Sequence, residues 1–191
     1  MTNIKECSPD DPQYSVVPDE PLKPGYITKN FSIQELSYSQ TAVRRIINNV
    51  PTGQTLKNLE EATKNLFQPL RDALGVPISI SSGYRSPALN KAIGGSNTSA
   101  HTYGFAIDFR VHGVPNTYLL AKRILEICKE NNLGFDQLIL EFPSGDYNNP
   151  DNSMPGSWIH LGYKSPRGDQ RKQILTAKKI KGRTTYLNGL V

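Results

Sequence analysis

The stretch over residues 105–111 constrains the fold of this chain most, because its apolar and polar positions alternate as in a half-buried strand. With a period of two, Ala106 and Asp108 fall on one face of this strand. The opposite face carries three large apolar residues: Phe105, Ile107 and Phe109. One face is therefore predicted to pack on a core, and the other to turn a carboxylate towards a pocket.

The rest of the chain supplies helices first and strands later. Ser32 and Glu35 have capping-box spacing, and apolar residues at helical intervals continue to a stop at residues 48–51. A second helix is predicted over residues 56–74, with Pro69 expected to kink or restart it. The other predicted elements are strands over 76–81, 105–111, 137–142 and 157–163, and helices over 88–93 and 116–131. This order predicts an α+β fold, a small and mostly antiparallel sheet packed against helices.

Composition divides the 191 residues into three parts. Residues 1–29 contain five prolines and few apolar residues, which is typical of an extended arm without a core of its own. Residues 30–163 carry the periodic patterns of one domain. Residues 164–191 are interpreted as a basic C-terminal tail.

The net charge of +5 is concentrated in that last part. Residues 164–183 hold eight basic residues and one acidic residue, Asp169. Such a run is usually a solvated surface, and the alternative is attraction to a polyanion such as nucleic acid, a membrane surface or an anionic cell-wall polymer. The segment shows no groove-binding helix and no stacking pattern, which disfavours nucleic acid as a partner.

The two cysteines and the hydropathy pattern bound the setting of the chain. Cys7 and Cys128 lie far apart in different surroundings, so two free thiols are favoured over a disulfide. No apolar run approaches the roughly 20 residues that span a bilayer. Residues 1–18 lack the basic-then-apolar pattern of a signal peptide, so we expect synthesis in the cytoplasm without one.

Two of the three histidines and one carboxylate suggest a metal site. His101 precedes Asp108 by seven positions, and His160 lies in the apolar strand that begins near Trp158. Two imidazoles and one carboxylate are a three-ligand set suited to Zn²⁺ with an open fourth position. Taken alone, a histidine in a strand is more often a hydrogen-bonded core residue than a ligand.

Three motifs in order resemble the M15 zinc peptidases. They are Ser82-Gly83-Tyr84-Arg85-Ser86, then Ser99-x-His101-x-x-Gly104-x-Ala106-x-Asp108, then Trp158-Ile159-His160. Within this family they are most similar to the phage-type, D-Ala-D-Ala carboxypeptidase-like subfamily, whose fold is hedgehog/DD-peptidase-like. The resemblance runs from about residue 31 to residue 163 and implies zinc ligands His101, Asp108 and His160.

The same resemblance implies roles for residues around the metal. Arg85 would bind and polarise the substrate, for which its planar fork of donors is suited, although a surface arginine in a turn is the alternative. Ser99 would contact substrate or order the turn before His101. Tyr84 and Trp158 would line the cleft, although large aromatic residues beside a sheet most often belong to the core.

A metallopeptidase also needs a group that moves a proton. Many members of the family have an acidic residue three positions before the last histidine, and this chain has Ser157 there. Glu141, at the end of the predicted strand over 137–142, resembles the strand-terminal glutamate of the subfamily and is the predicted base. Asp146 and Asp151, in the long polar loop over 143–155, are the reserve candidates.

The function expected from these features is zinc-dependent hydrolysis of peptide bonds in peptidoglycan stem peptides, as a carboxypeptidase or an endopeptidase. The arm, the basic tail and the lack of a signal peptide fit a bacteriophage endolysin or a virion component that degrades the cell wall. The arm would then bind virion or other assembly partners. The alternative is a non-catalytic structural or interaction protein that retains the peptidase fold, which the Ser157 departure makes credible.

Overall fold

The computed structural model describes residues 22–191, so most of the predicted arm lies outside the described residues. The predicted first helix is two short helices, α1 over Ile33–Ser37 and α2 over Gln40–Arg44. The Ser32 hydroxyl caps α1 by accepting a hydrogen bond from the Glu35 amide at 3.1 Å, as its spacing predicted. Ser39 caps α2 in the same way, accepting from the Ala42 amide at 3.3 Å. This second local cap competes with helix continuation and divides the segment.

The predicted helix over residues 56–74 is continuous but changes its winding before Pro69. Helix α3, Gly53–Ala62, passes through a π-helical turn, Thr63–Phe67, into α4, Gln68–Leu74. Proline has no amide hydrogen and its ring clashes with the carbonyl one turn earlier, so the helix widens instead of breaking. The disturbance predicted at Pro69 is therefore a π-helical turn within one continuous helix rather than a new start.

In the described part of the chain, six strands form one sheet in the order β1-β2-β4-β3-β5-β6. Every neighbouring pair is antiparallel except β3 and β5, which are parallel. The strands are β1 Ile78–Ser82, β2 Ala106–Val111, β3 Gln137–Glu141, β4 Trp158–Gly162, β5 Gln173–Ile180 and β6 Arg183–Asn188. The predicted α+β class with a mostly antiparallel sheet is therefore confirmed.

Helices cover one face of this sheet. Helix α5 spans Pro87–Ala92, and α6, Thr117–Glu130, packs against β3, β4 and α4. The strands contribute to the main core several side chains with no exposed surface: Ile107, Phe109, Leu138, Leu140, Ile159 and Leu161. Phe105, Ile107 and Phe109 are all buried, as the alternation of β2 predicted.

The opposite face carries a separate small apolar cluster and the polar residues of interest. Asp108 lies beside His160, His160 beside Ile139, and Ile139 beside Leu175 across four neighbouring strands. Residues side by side in neighbouring strands share a face. The predicted pocket face of β2 thus continues across the sheet to β5.

The C-terminal part differs from the sequence interpretation, which placed residues 164–191 in a tail after the domain. Residues 173–188 form β5 and β6 of the same sheet. The apolar part of β5 is short and followed by lysines, so its pattern did not stand out from the basic composition. Two of the basic side chains pair with carboxylates of the domain: Lys164 with Glu61 and Arg171 with Asp136.

Within residues 22–191, the helices are all too short or too polar to cross a bilayer.

Candidate metal centre and active-site cleft

A short 3-10 helix, Ala100–Tyr103, positions His101 ahead of β2. Gly104 ends this turn with a φ of +81°, and a side chain there would lie 2.6 Å from the Thr55 carbonyl oxygen. The sequence needs glycine at this position because the backbone is left-handed and the neighbouring helix is in contact. His101 is 2% exposed, and its Nδ1 lies 2.7 Å from the Gly83 carbonyl oxygen. When Nδ1 donates to that carbonyl, the lone pair of Nε2 points to the cleft.

The sheet register brings the other two predicted ligands to His101. Asp108 Oδ1 lies 3.1 Å from His101 Nε2 and 2.8 Å from His160 Nδ1. The two imidazole nitrogens are 3.2 Å apart. Ligand atoms at about 2.0–2.2 Å from a tetrahedral zinc ion are separated from one another by slightly more than 3 Å. The three residues that the resemblance implied as ligands are therefore brought together.

The electrostatics of these groups suit metal ligation. Burial opposes ionisation of Asp108, but its contacts with His101 and His160 outweigh burial and hold its pKa well below the usual range. Burial lowers the pKa of His101, which keeps its imidazole neutral. Three atoms with lone pairs converge here, and at most one proton is shared among them. A divalent cation binds well to such a set of ligand atoms. On these grounds the residues fit zinc.

Arg85 holds the far oxygen of the same carboxylate. Its Nη2 donates to Asp108 Oδ2 at 2.5 Å, and its Nε donates to Ser82 Oγ at 2.8 Å. Oδ1 is left to face the two histidines, so Arg85 orients the carboxylate as a one-oxygen ligand. Arg85 also lines the cleft, which keeps it available to a substrate.

Asn49 is a supporting residue that the sequence analysis missed. Its Oδ1 accepts from the Ser86 amide at 2.6 Å, and its Nδ2 donates to the Tyr84 carbonyl at 3.0 Å and to the Ser37 carbonyl at 2.7 Å. These bonds attach one turn, the turn on which Arg85 lies, to the end of α1. In the sequence Asn49 is part of a helix-stop signal, and nothing there indicates a partner about 35 residues away.

The cluster lies in a cleft of about 1010 Å³ on the open face of the sheet. The loop over residues 93–99 forms one wall, and the loop over 165–171 with β5 and β6 forms the other. Ser99 and Trp158 both line this cleft. Tyr84 is 6% exposed, packs in the main core and is absent from the lining, so the structure does not place it at a substrate.

Glu141 lies in the same cleft at the end of β3. It is 7% exposed, beside Trp158 of β4 and Ala177 of β5. Burial raises the pKa of its carboxyl group from 4.5 to about 7, since burial and the charge of Asp108 outweigh the attraction of His160 and Arg85. A carboxyl group with such a pKa both accepts and releases a proton near neutrality.

Ser157 faces the other side of the sheet. It has no exposed surface, and its Oγ accepts a hydrogen bond from Thr117 Oγ1 of α6 at 2.5 Å. Strand alternation turns Trp158 and His160 to the cleft and position 157 to the helices. A carboxylate at position 157 would therefore point away from the cleft in this fold. Asp146 and Asp151 are exposed in the loop over 143–155 and do not line the cleft.

An α+β domain with a histidine, carboxylate and histidine cluster beside a buried glutamate is the arrangement of a metal-dependent hydrolase. The family model for Peptidase M15 matches residues 29–138, more than half of the chain. The chain therefore belongs to the Peptidase M15 family, and this membership supports a peptidase function. The match includes Arg85, His101 and Asp108 and ends before Glu141 and His160. No curated protein matches the chain.

Proposed function

We propose that this protein hydrolyses peptide bonds in peptidoglycan stem peptides and that His101, Asp108 and His160 hold the Zn²⁺ it needs. One observation carries the proposal: three donor atoms lie within 3.2 Å of one another in a cleft that also contains a buried glutamate. M15 peptidases are typically zinc-dependent, which agrees with this donor set.

The residues of the cleft divide the chemistry between them. When bound, zinc would supply Lewis acidity to the scissile carbonyl and would lower the pKa of water. Glu141 takes the proton of the attacking water and delivers it to the leaving amine, which its raised pKa permits near neutrality. Arg85 keeps Asp108 in place and offers its remaining donors to a carboxylate or carbonyl of the peptide. Ser99 and Trp158, which line the cleft, would contact the peptide.

The substrate class and the setting rest on the resemblance to the D-Ala-D-Ala carboxypeptidase-like subfamily. A cleft open along the sheet accommodates either a terminal D-Ala, as in a carboxypeptidase, or an internal bond, as in an endopeptidase. A protein made in the host cytoplasm that degrades the cell wall as a bacteriophage endolysin, or as a component of a virion, fits this activity.

The test is digestion of purified peptidoglycan by zinc-loaded protein, with and without chelator. New amino groups together with free D-Ala indicate carboxypeptidase action, and new amino groups without free D-Ala indicate endopeptidase action. Glu141→Gln is expected to lower the rate by about 10²–10⁴-fold while zinc still binds, because only the proton transfer is removed. Asp146→Asn, an exposed carboxylate outside the cleft, is the matched control and should leave the rate unchanged.

The same experiment addresses the non-catalytic alternative. If zinc-loaded wild-type protein releases neither product, the enzyme proposal fails and a structural or interaction role on the peptidase fold replaces it. Zinc binding is measured separately by calorimetric titration, so that loss of metal binding is distinguished from loss of catalytic activity.

A further inference from the structure

An apolar groove lies on the surface of α1 and α2, away from the cleft. Four large apolar side chains stand around this groove with most of their surface exposed: Tyr38 at 60%, Val43 at 67%, Ile46 at 95% and Val50 at 62%. The groove has a volume of about 550 Å³, and none of the charged residues among residues 22–191 lines it. A contiguous exposed apolar surface of this kind marks an interaction site. We name it the α1–α2 groove.

Ile46 occupies a backbone position that disfavours it. Helix α2 ends in a Schellman motif, with the Ile47 amide bonded to the Ala42 carbonyl at 2.9 Å and the Ile46 amide to the Val43 carbonyl at 3.3 Å. Ile46 has a φ of +53°, where glycine or asparagine is usual and a β-branched residue is strained. The cost is about 1–2 kcal/mol, and the side chain buries almost nothing against residues 22–191. A contact outside the described residues would offset this cost.

The N-terminal segment, residues 1–21, enters the described structure beside the groove. The Gly25 carbonyl accepts a hydrogen bond from the Ile33 amide at 2.9 Å, and Tyr26 forms an isolated bridge with Ser32. These contacts fix the incoming chain at the first turn of α1, the helix that forms one side of the groove. The eight residue-to-residue steps from Val17 to Gly25 span up to about 27 Å, several times the length of α1.

The composition of the segment complements the groove. Its densest group of apolar residues is Tyr14, Val16 and Val17, and its charged residues are five acids and one lysine. Arg44 and Arg45 are exposed immediately before Ile46. An acidic chain with a short apolar cluster therefore meets an apolar groove bordered by arginines.

We propose that residues 14–17 of the N-terminal segment dock in the α1–α2 groove of the same molecule. Their apolar side chains cover Tyr38, Val43, Ile46 and Val50, and the acidic residues of the segment lie against Arg44 and Arg45. Docking would also affect the position of Arg85 in the cleft, because Asn49 lines the groove and fixes the turn that carries Arg85.

The native thiol of Cys7 allows a direct test on the full chain. Cys128 is buried, so a nitroxide reagent labels Cys7, and a Cys7→Ser variant verifies this selectivity. The nitroxide is expected to broaden the backbone amide signals of residues 38–50 in a ¹⁵N-labelled protein, and reduction of the nitroxide should restore them. Ile46→Asn should abolish this broadening, because asparagine tolerates the left-handed backbone but offers no apolar surface. Ile180→Asn is the matched control, an exposed isoleucine outside the groove, and should retain it.

A mixed sample separates the other occupants. Spin-labelled protein without ¹⁵N is added to ¹⁵N-labelled Cys7→Ser protein, so any broadening must arise between molecules. Absence of broadening in the singly labelled sample overturns the proposal. Broadening of equal strength in the mixed sample also overturns it and assigns the groove to a second copy of the chain. Broadening that survives Ile46→Asn shows that the segment lies elsewhere and equally refutes the docking.

Discussion

Replacing Glu141 with glutamine should make the metal-free protein more stable at alkaline pH while removing its proton-transfer group. Glu141 is 7% exposed, and burial raises its pKa from 4.5 to about 7. The folded state therefore binds this proton more tightly than the unfolded state does. The contribution to stability is fully present below pH 4.5 and is lost as the pH rises through 7. In the wild type, Glu141 thus destabilises the fold once it is ionised.

The magnitude follows from the difference between the two pKa values. A displacement from 4.5 to about 7 corresponds to about 3 kcal/mol at 1.36 kcal/mol per pH unit. Glutamine has nearly the same shape and does not ionise, so Glu141→Gln should gain about 3 kcal/mol relative to wild type between about pH 4 and about pH 8. Any loss of packing or hydrogen bonding on substitution is independent of pH and cancels in this comparison.

Urea denaturation of both proteins in the presence of chelator, at several pH values from about 4 to about 8, measures this difference. Glu130→Gln, an exposed carboxylate of α6, is the control and should track the wild type. A difference between Glu141→Gln and wild type that stays constant across this range would refute the reasoning, since Glu141 would then ionise as freely in the folded as in the unfolded chain.

Three further substitutions test the surroundings of the cleft. Arg85→Lys should lower zinc affinity about 10–100-fold in a calorimetric titration, because lysine cannot bond Asp108 and Ser82 together; unchanged affinity would contradict the orienting role. Gly104→Ala should lower the free energy of unfolding, measured in urea, by at least about 2 kcal/mol. The reason is that the backbone there is left-handed and the added carbon would contact a carbonyl oxygen of α3. An unchanged free energy of unfolding would mean that α3 shifts to accommodate the added carbon. Arg171→Ala should cost about 2 kcal/mol by removing the two guanidinium hydrogen bonds to the buried Asp136 carboxylate and leaving only the one from the backbone amide of residue 171. An Arg171→Ala, Asp136→Asn double variant should recover part of that loss.

Most helices and strands between residues 31 and 163 could be predicted because each carries its own periodicity. The apolar residues alternate at residues 105–111 and recur every three or four positions at residues 56–74. These local patterns indicate which side of each element faces the core. The predicted boundaries were wrong where two local signals compete. At Ser39, for example, the side chain caps a second helix within the predicted first one. The last two strands were missed because their apolar run is short and ends in lysines.

The candidate site was predictable in its members but less so in their arrangement. The three motifs name His101, Asp108 and His160, and the structure brings them together. Tyr84 was expected at the cleft and lies in the core, because the turn after β1 directs only Arg85 to the cleft. Whether Ser157 or Glu141 faces the cleft depends on which side of the sheet each position occupies.

The sequence by itself determined the fold class, the peptidase family and the three residues proposed as metal ligands, since these follow from local periodicity and from short motifs. Only the tertiary structure decided the partners across long separations: the second wall of the cleft built by residues 165–186, the burial that raises the pKa of Glu141, and the Asn49 bonds that hold the Arg85 turn. The physical reason is that register and burial are properties of strands and helices once they are packed, and no residue carries a record of the neighbour that will lie beside it.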